Sequence, residues 1–276
     1  MKQFQPKSTQ DAPRYTGIST FMRLPYFADP QQLDVALVGV PYDSGVTYRP
    51  GTRFGPRAIR DQSQLIGSYN YALQMSPYDN MRIADYGDLV TNPLSTEDTF
   101  QIVEKEIQKI IDAGARPFAV GGDHSISFPI LRALARKYGK GTLGIVHFDV
   151  HYDTYDKFWG EKYSHGSPFR RVIEEKLLNP HKVIQIGLRG QGFSELLRPK
   201  GRSFRRRLIL QHRGNPYSPR AIHSPSTPYP RSRGFRSYFF QYINRSVDIR
   251  ITYHPTTPTD IQPAVFPILF LPYTTF

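Results

Sequence analysis

The feature that most constrains this chain is a regular alternation, across residues 34–188, of short apolar runs with longer segments of helical period. Val35-Ala-Leu-Val-Gly-Val40 is a run of the length and composition of a buried parallel strand. Pro56 suits the first position of a short helix. Ser95 and Asp98 are spaced as a capping box, and Phe100, Val103, Ile107, Ile110 and Ile111 follow at helical spacing, with Gly114 placed to end the helix. Pro117–Val120 reads as a strand and Ile126–Tyr138 as a helix closed by Gly139. Thr142–Phe148 reads as a strand, Pro168–Leu178 as a helix, and Lys182–Leu188 as another strand. Strand–helix alternation of this kind predicts an α/β fold: a three-layer parallel sheet with helices on both faces.

The alternation stops near Leu197. From Arg198 onward there are thirteen Lys or Arg against two acids, Asp248 and Asp260, so this part carries +11 of the net +13. Eleven of the 24 prolines also fall there, and Ser203–Ser237 shows no sustained period of 3.6 or 2. The expected organisation is an N-terminal arm (1–33), a truncated α/β domain (34–197) and a basic Pro/Arg/Ser-rich tail (198–276) that is irregular or incomplete. A stretch of this composition in place of an α/β continuation is also what a shifted reading frame or a wrong splice junction produces. Its basic residues match no RNA- or DNA-binding motif, so nucleic acid is not an expected partner. No membrane span is expected either, because the longest apolar stretch, Ala264–Tyr273, is short and broken by Pro267 and Pro272. The absence of cysteine excludes disulfides and thiolate metal sites.

Two polar clusters fall just past the C-terminal ends of expected strands, where open parallel sheets form their ligand crevice. The first is Gly121-Gly-Asp-His-Ser125, whose glycines allow a sharp turn close to an ion or a neighbouring strand. The second is Asp149-Val-His-Tyr-Asp153. If the extended conformation continues past Phe148, Asp149, His151 and Asp153 project to one side. Alone, such a segment is as readily a solvated strand end, and His124 a hydrogen-bonded structural histidine. Two clusters at successive strand ends favour a metal site. Carboxylate and imidazole donors without sulfur suit Mn²⁺, with Zn²⁺ or Fe²⁺ as alternatives.

Gly121–Ser125, His147-Phe-Asp-Val-His-Tyr-Asp153 and Ser164-His-Gly-Ser-Pro-Phe169 resemble three signature blocks of the ureohydrolases, the arginase/agmatinase family. Thr20–Pro25, Gly39–Gly45 and Arg53–Arg57 resemble its agmatinase and guanidino-acid hydrolase branch, and the likeness runs to about residue 190. The resemblance implies two Mn²⁺ ions, one held by His124, Asp149 and Asp153 and the other contacted by Asp149 and His151. It implies hydrolysis of a small guanidino substrate such as agmatine to urea and an amine, with His165 passing protons to the leaving amine. It further implies a homo-oligomer, trimeric or hexameric, in the cytoplasm, with a mitochondrial location left open.

The chain departs from the family after residue 190. The family supplies two further metal carboxylates from a D-x-D strand end, then a T-G-T-P stretch and a substrate-binding glutamate. The nearest counterpart here is Ser246-Val-Asp-Ile-Arg250, with arginine in the last ligand position. The substrate-binding residues are therefore unknown, and activity is expected to be impaired. The alternative is a catalytically inactive relative that binds or regulates an intact paralogue.

Overall fold

The computed structural model describes residues 2–188 and two strands of the tail, 236–240 and 249–253. These fall into two compact units: residues 2–70 and 74–188 form the first, and the two tail strands belong with residues 71–73 in the second.

The first unit is built on β1 (Val35–Val40), α1 (Gly55–Ser63), β2 (Ile83–Asp88), α2 (Thr96–Asp112) and β3 (Arg116–Gly121). The three strands form a parallel sheet in the order β2-β1-β3, with β1 paired to β3 from Val35↔Arg116 to Val40↔Gly121. The central strand alternates between two apolar faces. Ala36, Val38 and Val40 meet Val103, Ile107 and Ile110 of α2, whereas Leu37 packs with Phe21, Leu24, Tyr78 and Val120 and with the half-buried Ile59 of α1. A sheet apolar on both faces requires cover on both, as in the expected three layers. Local signals act as read: Ser95 accepts a hydrogen bond from the Asp98 amide, and Gly114 and Gly139 follow their helices at φ of 90° and 95°.

Strand β2 was not legible as a strand, because its sequence Ile-Ala-Asp-Tyr-Gly-Asp carries two acids. Arg60 of α1 explains how they are accommodated. Its guanidinium grips the buried Asp85 with two hydrogen bonds, 2.7 and 2.9 Å, and reaches Asp88 at 2.6 Å, while Phe21 stacks over it with the ring centre 4.2 Å away. Removing either partner of such a buried pair costs about 3–5 kcal/mol, because it strands the other charge.

The chain continues through α3 (Ser127–Tyr138), β4 (Leu143–Phe148), α4 (Pro168–Glu174) and β5 (Leu178–Ile186). Helix α4 ends at Glu174 and not at Leu178. Lys176 takes a left-handed conformation (φ 54°), a role usually given to glycine, and β5 begins two residues later. Strands β4 and β5 are parallel and pair only with each other among the described residues.

The tail, expected to be irregular, contains one regular element among its described residues. Strands β6 (Arg236–Phe240) and β7 (Ile249–Tyr253) pair antiparallel, with Phe239 opposite Arg250. The proposed break near residue 198, Asp248 and the remaining tail lie outside the described residues. No helix among the described residues is long and apolar enough to cross a membrane.

Candidate metal centre

The turn after β3 is shaped by a close approach of two backbones. A Cβ on Gly122 would sit 1.8 Å from the Tyr42 carbonyl oxygen, so only glycine fits. The Gly122 amide donates to Val40 O at 3.1 Å and the Asp123 amide to Tyr42 O at 2.7 Å, tying this turn to the end of β1. Asp123 is buried and accepts from the amides of Ser125 (2.7 Å) and Gly45 (2.8 Å). Burial pushes its carboxyl pKa up against those donors. The turn so held presents His124 to the end of β4.

At β4 the ladder extends one residue past the strand, the Asp149 amide donating to Ile186 O at 3.0 Å. The extended conformation then ends, contrary to the expected projection of 149, 151 and 153 to one side. Asp149 Oδ1 accepts the His151 amide at 2.8 Å, and Asp153 adopts φ 52°. Asp is one of the few non-glycine residues that readily takes this conformation. The turn brings Asp153 back beside Asp149 and leaves His151 outside.

The result is a group of four: His124, His147, Asp149 and Asp153, with one potential ligand atom from each lying within 4.8 Å of all the others. His124 Nδ1 is 2.8 Å from Asp153 Oδ2 and 4.0 Å from Asp149 Oδ2. His147 Nε2 is 3.6 Å from Asp149 Oδ2 and 3.8 Å from Asp153 Oδ2. His147 is buried, and its Nε2 has no hydrogen-bond partner. Three residues expected from the sequence are thus brought together with a fourth, His147, that sequence reasoning had not assigned a role. Its signal was available: it precedes Asp149 by two residues, on the same side of a strand. His151 is outside the group, its side chain 59% exposed and its Nδ1 3.4 Å from Asp149 Oδ1.

The electrostatics are those of a shared anionic pocket. Burial pushes the Asp149 carboxyl up, but the facing His147 ring, the His151 amide and the charge of His124 outweigh it and hold the pKa at about 2. Burial pulls His124 down, yet Asp153, Asp149 and Asp123 together raise it. His147 is lowered, by burial first and by the neighbouring His124 charge.

His165 lies nearby but outside the group. Its amide donates to Gly45 O at 2.9 Å and its Nε2 is 2.8 Å from Thr47 Oγ1. Burial lowers its pKa against the pull of Asp123 and Asp153. Tyr155 and Phe158, expected either to line a substrate mouth or to pack, lie over Gly166, where a Cβ would meet them at 3.1 and 3.2 Å. Trp159 next to them is 84% exposed.

Comparison with known proteins gives a consistent set. The family model described as "Arginase family" matches residues 33–210. Guanidinobutyrase of Pseudomonas aeruginosa is 46% identical over 193 residues, covering 69% of this chain and 60% of that protein. Mitochondrial agmatinase of Gallus gallus is 42% identical over 189 residues, covering 68% of this chain and 55% of that protein. Among solved structures, proclavaminate amidino hydrolase from Streptomyces clavuligerus matches with a TM-score of 0.61 and 41% identity, over 65% of this chain and 60% of that one. The chain therefore spans only 55–60% of the length of these relatives.

Proposed function

This chain belongs to the arginase family, and from that premise we propose that it is a metal-dependent hydrolase of a small guanidino compound, impaired relative to its full-length relatives. The observation that carries this reading is the convergence of His124, His147, Asp149 and Asp153 at the C-terminal ends of β3 and β4, with a buried, unpartnered imidazole nitrogen among them. The donors fit a divalent ion: two carboxylates, two imidazoles and no sulfur, the set that suits Mn²⁺. When bound, such an ion supplies water acidified enough to give hydroxide near neutral pH.

The protein's own residues supply the rest. Asp149, its pKa held at about 2, is a carboxylate throughout the neutral range. Burial favours a neutral His165 ring at pH 7, and Thr47 holds its Nε2 edge. The ring can then take up the proton that the attacking water loses, and the imidazolium so formed can pass a proton to the departing amine nitrogen and return to neutral. Glycine at 166 lets Tyr155 and Phe158 close over the segment that carries His165, and the exposed Trp159 offers an aromatic face to a guanidinium cation.

The impairment follows from charge. Two divalent ions about 4 Å apart repel by roughly 16 kcal/mol at an effective dielectric of 20, and family members oppose this with four carboxylates. The group here has two among the described residues. That shortfall also supports the second reading, an inactive relative that binds an intact paralogue, and a homo-oligomer remains part of either reading.

The test is urea release by the purified chain with Mn²⁺ from 4-guanidinobutyrate, 3-guanidinopropionate and agmatine. The expected result is metal-dependent urea formation below the usual lower bound of about 1 s⁻¹. No urea from any of the three above the metal-free blank contradicts the hydrolase reading and leaves the regulatory one.

A further inference from the structure

We propose that this chain holds one divalent ion and not two, on His124 Nδ1, His147 Nε2, Asp149 Oδ2 and Asp153 Oδ2, with His151 outside the ligand set. This rests on the metal-hydrolase reading and assigns its ligands and stoichiometry. Metal–ligand bonds of about 2.0–2.3 Å place opposite ligand atoms up to about 4.6 Å apart. One ligand atom from each of the four residues lies within 4.8 Å of all the others, and the two named nitrogens stand 2.8 to 4.0 Å from the two named carboxylate oxygens, so a contraction of a few tenths of an ångström closes the group on one ion. Two carboxylates balance the charge of one dication.

His147 is a built component of the site. It is 6% exposed, its ring is packed by Phe169 with centroids 4.6 Å apart and by His124 at 5.1 Å, and its Nε2 aims at both carboxylates with no hydrogen-bond partner. Behind it stands Gln185, with Nε2 3.1 Å from His147 Nδ1 and 3.3 Å from Tyr152 O. For His147 Nε2 to offer its lone pair, Nδ1 must carry the proton. Turning the Gln185 amide so that Oε1 accepts that proton, at the loss of its 3.3 Å bond to Tyr152 O, would fix the required tautomer, the usual task of an outer partner of a metal-bound histidine.

The two oxygens of Asp149 face different ways. Oδ2 faces His124 and His147, whereas Oδ1 accepts the His151 amide at 2.8 Å and lies 3.4 Å from His151 Nδ1. On that outer side the described residues supply only Asp149 Oδ1 and an exposed imidazole, too few donors for a second ion.

The experiment is a Mn²⁺ titration of the whole chain by calorimetry, with bound metal counted by elemental analysis, for the unaltered chain, His147→Phe and His151→Phe. Phenylalanine keeps the ring packing and removes the nitrogens. One ion per chain is expected, bound at least tenfold more weakly in His147→Phe and within threefold of the unaltered affinity in His151→Phe. Two ions per chain, no ion, or a tenfold loss in His151→Phe overturns the proposal. Should His147→Phe not fold, the stoichiometry and His151→Phe decide alone. Urea release from a chain holding two ions would overturn this assignment and keep the hydrolase reading; one bound ion without urea release would do the reverse.

Discussion

The two parallel sheets of the first unit are made alike and buried differently. In β1, every residue from Ala36 to Val40 is buried, and both apolar faces of the sheet are covered. In the β4–β5 pair, Ile145, Val146 and Val183 to Ile186 are only half-buried, and Phe148 is 38% exposed. Parallel strands are ordinarily covered on both sides. The difference therefore marks β4–β5 as the less complete half of the domain, in a chain that spans 55–60% of its relatives' length. The candidate metal centre straddles the two halves: His124 follows the well-packed strand β3, whereas His147, Asp149 and Asp153 come from the half-covered side.

If burial sets this contrast, matched deletions should measure it. Ile107, fully buried in α2, should lose about 2–5 kcal/mol of stability on replacement by alanine. Ile145 in β4, only half-buried, should lose less than half as much. Urea unfolding with unchanged slope reads both. Equal losses would show that the second sheet is as well packed as the first.

A smaller effect comes from the latch between the halves, where Gly45 O and Thr47 Oγ1 hold the backbone and ring of His165. Burial depresses the His165 pKa in the folded protein. The unfolded chain therefore takes up the proton more readily, and folding stability should decline as pH falls below the free value of about 6.5 and on through the lower folded value. His165→Gln should flatten this limb of the stability curve below about pH 6.5. An unchanged limb would place the pH dependence in other groups.

Most of the first sheet was legible because its signals are local: apolar runs, a serine cap, glycines after helices. What escaped depended on distant partners. The acids of β2 hid a strand whose charge is balanced by Arg60, 25 residues earlier than Asp85. Lys176 ended α4 without the glycine that announces such a turn. In the candidate metal centre, the convergence of His124, Asp149 and Asp153 was legible from their strand-end positions. The side-chain turn at Asp149 and the left-handed Asp153, which exclude His151 and admit His147, were not, because alternation in the sequence assumes that the strand continues.

The central claim, that one metal centre joins a well-packed half to a half-covered one, is tested most directly by amide hydrogen exchange with and without Mn²⁺. Without metal, the amides of β4 and of residues 149–155 should exchange faster than those of β1. With Mn²⁺ they should slow by at least tenfold, while β1 changes by less than twofold. Exchange in β4 and 149–155 that Mn²⁺ leaves untouched, or slows no more than in β1, would contradict the account.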